Sequence, residues 1–206
     1  MLKPEQLAKA ADALPERLHA LALLGGYSGL RWSELIALKR DDLDLEERTV
    51  RVDERLTEVG GGGGSWSWGN PKTADSARTV NLPAVVVKPL AEHLLRFPPL
   101  RSQDDPQLEG LLFHAEGSPI RRHLFRKLWR RACEAAKVPA IRLEWLRHTG
   151  ASLAYAASRD MKAVAARLGH TSTRMVDTTY LSIYEETGRE LAEAIDVLVR
   201  KRLSRS

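Results

Sequence analysis

Apolar residues recur at helical spacing through the first thirty positions. Leu14, Leu18, Leu21, Ala22 and Gly25 fall three or four apart and predict a helix with one inward face. The opening MLKPEQLAKAADAL also reads as a helix, and Gly25, Gly26 and Gly29 of GGYSGLR punctuate the end of the run. A short helix is expected in WSELIALKRDDL, with Leu35, Ile36 and Leu38 apolar and Asp41, Asp42 and Asp44 closing it. From Thr49 to Leu82 the period changes. Thr49-Val50-Arg51-Val52 alternates as a half-buried strand does, and Arg78-Thr79-Val80-Asn81-Leu82 repeats the pattern. Between them lie the glycines from Gly60 to Gly64, the Ser65-Trp66-Ser67-Trp68 stretch and the turn cluster Gly69-Asn70-Pro71. The glycines read as a loop within a sheet, because short strands on either side of a linker have no partner.

Beyond Leu82 helices return. They are expected over Pro83 to Arg96, Arg121 to Lys137, Arg142 to Ser158 and Met161 to Leu168, with a short element near Thr173 and a last helix over about 185–202. The proline-rich FPPLRSQDDPQ reads as a loop leading to the apolar Leu111-Leu112-Phe113. The fold class is therefore mixed α+β, mainly α-helical, with a small antiparallel β-sheet of about three strands. One domain over 1–206 accommodates it, the sheet forming an insert at about 49–82.

Composition narrows the function. Charged residues make up 29% of the 206 positions, and no apolar run approaches the ~18 residues that span a bilayer. The stretch MLKPEQLAKAADAL lacks the long apolar run and small-residue cleavage site of a secretory signal, so it is expected to be a helix instead. The single cysteine, Cys133, excludes an intramolecular disulfide and reads as a packed thiol of a cytoplasmic protein. There is no CxxC, HExxH or clustered His/Asp pattern, so neither a metal nor a cofactor is expected. The net charge is +5. Its distribution matters more: Arg121, Arg122, Arg126, Lys127, Arg130, Arg131, Lys137, Arg142 and Arg147 crowd one segment, opposed by Glu134 and Glu144. Such a segment suits a polyanion such as DNA, or forms a solvated helix face.

Four scattered segments carry candidate chemistry. They are Gly29-Leu30-Arg31-Trp32-Ser33-Glu34-Leu35, Pro71-Lys72-Thr73, Leu143-Glu144-Trp145-Leu146-Arg147-His148-Thr149, and Leu168-Gly169-His170 with Tyr180 ten residues further on. In order and spacing they resemble the tyrosine site-specific recombinase, or phage integrase, family, whose catalytic domain carries GLRxxEL, a hairpin lysine, HxLRH, LGH and then a tyrosine. The match runs from Gly29 to Tyr184.

The resemblance implies the tyrosine recombinase catalytic-domain fold and an enzyme that cuts and rejoins double-stranded DNA through a 3′-phosphotyrosine link, without metal or ATP. Arg31 and Arg147 would grip the scissile phosphate. A guanidinium offers a planar fork of donors, stays charged and stabilises the oxygens on which charge develops. Tyr180 would be the nucleophile, chosen over Tyr184 by its spacing from His170. Lys72 would protonate the departing 5′-oxygen as general acid. His170 would bond a non-bridging phosphate oxygen, and His148 would support the grip from behind.

Glu144 departs from the pattern, standing where the family has histidine or lysine. On a helix Glu144, Arg147 and His148 share one face. The carboxylate could accept the proton of Tyr180, or orient Arg147 or His148. Further DNA contacts are expected from Arg121, Arg122 and Arg126 and from Thr171, Ser172 and Arg174. Two other readings share parts of the pattern: a type IB topoisomerase, and a DNA-binding regulator of weakened catalysis.

The family's N-terminal DNA-clamping domain is expected to be absent here, since Arg31 already holds the first catalytic position. The C-terminal helix, with Leu191, Ile195 and Leu198 in a stripe, is a candidate for self-association on DNA. The expected location is the cytoplasm of a bacterial or phage-type host, at the nucleoid.

Overall fold

The computed structural model describes residues 1–60, 65–69, 77–102 and 105–169. All lie within one compact unit, Met1–Thr171. Lys72, His170, Thr171, Ser172, Arg174, Tyr180 and Tyr184 lie outside the described residues, as do the elements expected near Thr173 and at 185–202.

The centre of the fold is helix α2, Glu16–Ser28. It is buried nearly all round, from Leu18 to Ser28, as a helix apolar on every side must be. Pro15 precedes its first turn, and Gly29 ends it in the left-handed conformation, φ +73°. Helix α1, Pro4–Asp12, packs on α2 through Leu7, Ala10 and Ala11. Two more helices close around α2: α4, Ala84–Arg96, and α6, Glu144–Ser158.

The α2–α6 contact depends on glycine. A Cβ on Gly150 of α6 would stand 2.8 Å from the Gly29 nitrogen and 3.0 Å from the Gly26 oxygen. Backbone cannot yield as a side chain does, so two backbones meet there without side chains between them.

Helix α3 is short, Trp32–Leu35. The expected longer helix does not form. A 3-10 turn covers Arg40–Asp42 instead, because the intervening chain bonds elsewhere: Leu112 donates to the Leu38 carbonyl at 2.8 Å, and Lys39 bridges to Leu111. Leu111, Leu112 and Phe113 are wholly buried as a result.

The sheet has three antiparallel strands in the order β1–β2–β5: Leu43–Asp44, Thr49–Val52 and Arg78–Asn81. Val50 faces Val80 and Val52 faces Arg78. Val50, Val52 and Val80 are buried, so the alternation read from the sequence holds. A separate hairpin pairs β3, Arg55–Glu58, with β4, Trp66–Gly69. The sequence reading missed β3 and left the tryptophan stretch unassigned. The short strands β6, His114–Ala115, and β7, Ser118–Pro119, form a further hairpin.

Helix α5, Arg122–Ala135, buries Phe125, Trp129, Ala132 and Cys133. Its opposite face exposes Arg122, Arg126, Lys127, Arg130 and Arg131. Burial, reinforced by Glu134, pushes the Cys133 thiol above its usual range despite a backbone bond from Ile141 that works the other way. Helix α7, Met161–Leu168, is capped at its start by the Asp160 carboxylate, which accepts from Lys162 and Ala163 N–H. Gly169 ends it in the left-handed region, φ +64°.

Candidate active site

Four elements converge at the C-terminal end of α7. Its last carbonyls have no partner within the helix and carry the negative end of its dipole. Three arginines from distant parts of the chain supply the donors.

Arg147, one turn into α6, donates from Nη2 to the Leu168 oxygen at 2.8 Å and from Nη1 to the Gly29 oxygen at 2.7 Å. It thereby ties the end of α2 to the end of α7. Arg31 precedes α3 and reaches the same place, Nη1 to the Leu168 oxygen and Nη2 to the Gly169 oxygen, both at 3.5 Å. These are long, weak contacts, and the Arg31 side chain keeps 40% of its surface open. Arg78, from β5, donates from Nε to the Arg167 oxygen at 2.8 Å.

Glu34 organises the arginines. Its side chain is only 4% exposed. Its Oε2 accepts from the Arg31 backbone N–H at 2.8 Å and from Arg78 Nη2 at 2.9 Å. Its Oε1 accepts from Arg31 Nη1 at 2.9 Å and from Arg78 Nη1 at 3.3 Å. Burial alone would raise its pKa, but the Arg78 fork and then Arg31 outweigh burial and hold the carboxyl below the usual carboxylate range. Two guanidiniums and a backbone N–H share the buried charge, and a Glu34 left with neither arginine would be an uncompensated buried carboxylate, at a cost of about 3–5 kcal/mol.

The two arginines expected to grip phosphate are therefore brought together, anchored on one helix end. His170 follows Gly169 directly in the chain. Gly169 is required twice over. Its φ is one that side chains rarely adopt, and a Cβ there would stand 2.7 Å from Arg78 Nη1.

Glu144, Arg147 and His148 lie on α6 at i, i+3 and i+4, as the pattern implied. Glu144 is exposed and paired with Arg122 of the first turn of α5. His148 packs its ring edge-on to Trp145, with centroids 6.0 Å apart. Burial lowers its pKa, and the Arg147 charge and the Met1 amino group add to the effect. The expected DNA contacts on α5 divide. Arg126 is exposed. Arg121 is committed to the β3–β4 hairpin, with Nη1 on Glu58 Oε1 at 2.5 Å and its guanidinium 5.5 Å above the Trp66 ring. On the hairpin's other tryptophan, the Lys39 ammonium sits 4.7 Å from the Trp68 ring.

Glu34 and Arg78 were not singled out from sequence as site residues. A signal existed for Arg78: strand alternation puts it on the buried side with Val80, and an inward arginine calls for an acid.

Comparison with known proteins identifies the family and the fold. The phage integrase family matches residues 2–187. The integrase of Mycobacterium phage L5 is 30% identical over 202 residues, covering 97% of this chain and 52% of that protein. A XerC-like tyrosine recombinase of Caldanaerobacter subterraneus is 28% identical, covering 94% of this chain and 53% of its own length. The chain thus spans about half the length of the curated relatives it matches. Among solved structures, the Tn1549 transposon integrase in complex with transposon right end DNA superposes with a TM-score of 0.73 at 22% identity, over 91% of this chain and 65% of that one. With the order of its motifs, the convergence of Arg31 and Arg147, and a match over nearly its whole length, the chain belongs to the phage integrase family of tyrosine recombinases.

Proposed function

We propose that this chain is the DNA-cleaving and rejoining module of an integrase-type site-specific recombinase. The observation that supports the reading best is the meeting of Arg31 and Arg147 at the Leu168 carbonyl, immediately before Gly169 and His170. Two guanidiniums held side by side form a cradle for a phosphodiester and for the extra charge of its pentacoordinate transition state.

In this reading the Tyr180 oxygen attacks the scissile phosphorus. The bond to the 5′-oxygen breaks, and Lys72 gives that oxygen its proton. A 3′-phosphotyrosine and a free 5′-hydroxyl result. The second 5′-hydroxyl reverses the step and releases the tyrosine, so ester energy is conserved and no nucleotide is consumed. His170 bonds a non-bridging oxygen and His148 backs Arg147. Glu144, paired with Arg122, takes the tyrosine proton or orients Arg147. The exposed basic face of α5, including Arg126, follows the backbone of double-stranded DNA, with Thr171, Ser172 and Arg174 reaching phosphates near the cut. Further copies assemble on the DNA, with 185–202 as the contact. The setting is the cytoplasm of a bacterial or phage-infected cell, at the nucleoid. Among the described residues, no helix is long and apolar enough to cross a membrane.

The test is covalent capture. Incubation with a pool of nicked random-sequence duplexes should give a denaturant-resistant protein–DNA adduct, and Tyr180→Phe should give none. An adduct that survives Tyr180→Phe, or none from the wild-type chain, overturns the reading.

A further inference from the structure

Arg78 has no role in the scheme above, yet it bonds Glu34, which holds Arg31, and the Arg167 carbonyl, next to the Leu168 carbonyl that holds Arg147. It sits on β5, downstream of the segment carrying Lys72. Its side chain is 8% exposed, facing inward beside Val80. Both of its terminal nitrogens bond Glu34, and Glu34 holds Arg31 by backbone and guanidinium. Its Nε bonds the Arg167 carbonyl, one residue before the carbonyl that Arg147 grips. Gly169 leaves room for it, since a Cβ there would stand 2.7 Å from its Nη1.

We infer that Arg78 is a positioning residue for phosphate binding: through Glu34 it sets the place and direction of the Arg31 guanidinium, and through Arg167 it registers the end of α7 against that guanidinium. The inference rests on the recombinase reading, in which Arg31 binds the scissile phosphate.

Arg31 and Arg78 compete for the same carboxylate. Arg31 and Glu34 are opposite charges at i, i+3 and are already paired, Nη1 to Oε1 at 2.9 Å. A carboxylate that must satisfy a second, buried guanidinium has its oxygens shared out. Arg78 takes the Glu34 oxygens from the inner side. Arg31 is left at the outer side, with 40% of its side chain open to an incoming anion. Without Arg78, Glu34 is no longer shared, and its existing pair with Arg31 tightens into a stronger competitor for the incoming phosphate. Lysine does not replace arginine here, because one ammonium cannot bond both Glu34 oxygens and the Arg167 carbonyl at fixed angles.

The test uses the full chain and a duplex recovered from the random pool by adduct formation, with the cleaved phosphate mapped. Single-turnover adduct rates are compared for wild type, Arg78→Gln and Arg78→Lys. Two substrates are used, the natural phosphodiester and one carrying a neutral methylphosphonate at the mapped position. On the phosphodiester, Arg78→Gln should slow cleavage by about tenfold or more, with Arg78→Lys between it and wild type. On the methylphosphonate, which has one less charge for Arg31 to meet, most of the difference should vanish. A loss of equal size on both substrates means that Arg78 only supports the fold, and overturns the proposal. So does a phosphodiester rate within about twofold of wild type for both variants. If Arg78→Gln does not fold, Arg78→Lys carries the comparison, and failure of both to fold also counts against a positioning role. A wild-type chain that yields no adduct overturns the recombinase reading itself, an outcome distinct from these.

Discussion

Lys72 and Tyr180 share one transesterification, and their parts can be separated by changing the leaving group. If Lys72 supplies a proton to the departing 5′-oxygen, Lys72→Ala should lose on the order of 10²- to 10⁴-fold in adduct rate. A 5′-bridging sulfur departs as a thiolate and needs no acid, so the same variant should recover most of its rate on that substrate. An equal defect on both substrates would assign Lys72 to binding instead. Single residues were also where the sequence was most and least informative. Arg31 and Arg147 stood in motifs that announce them. Glu34 lay inside one of those motifs, but its role depends on Arg78, 44 positions away, and no spacing rule links a helix-start acid to a strand arginine. Arg121 read as a DNA contact because it is basic and opens a basic helix. In the fold it also pairs with Glu58 and lies over Trp66, partners that no spacing in the sequence announced.

At the scale of elements, the period of apolar positions located α4, α5, α6 and α7 to within a few residues, because each has one face to bury, and found α2 as well, though that helix is buried nearly all round. It overextended α3, whose following residues bond to 111–112 rather than to their own helix. It also missed β3, where four residues of mixed polarity are strand only by virtue of pairing with β4. The α2–α6 crossing gives a sharp test. Alanine is normally better than glycine inside a helix, by about 1 kcal/mol. At Gly150 the methyl would meet the backbone of Gly26 and Gly29. Gly150→Ala should therefore destabilise the domain by about 1–3 kcal/mol, read as a lower urea midpoint with an unchanged slope. Because Gly29 is also an anchor of Arg147, the variant should cleave more slowly even where it is fully folded. A stabilised variant would mean that the two helices are free to separate.

Across the whole molecule, two histidines tie stability to pH. His93 is buried, and burial holds its pKa below the ordinary 6.5, with Arg17 and His114 adding to the shift against the Leu112 carbonyl. His148 is lowered in the same direction. A folded value below the unfolded one means that the unfolded chain binds protons first as pH falls. Stability should be full above about pH 6.5 and decline from there toward the folded values. The melting temperature is expected to be lower at about pH 5.5 than at 7.5, and His93→Gln should shrink that drop; a flat wild-type profile would contradict it. Glu34 acts in a separate window, below the usual carboxylate range, where its protonation would release both arginines. The helix end that receives those arginines has one more consequence, for mutational drift. The acceptors are peptide oxygens of residues 167–169, and substitution changes side chains without deleting carbonyls. The letters of α7 can therefore change while the anchor persists. A single inserted or deleted residue is another matter: it turns every later carbonyl by about 100° and points the anchor away from all three guanidiniums. This part of the chain can tolerate change in identity far better than change in length.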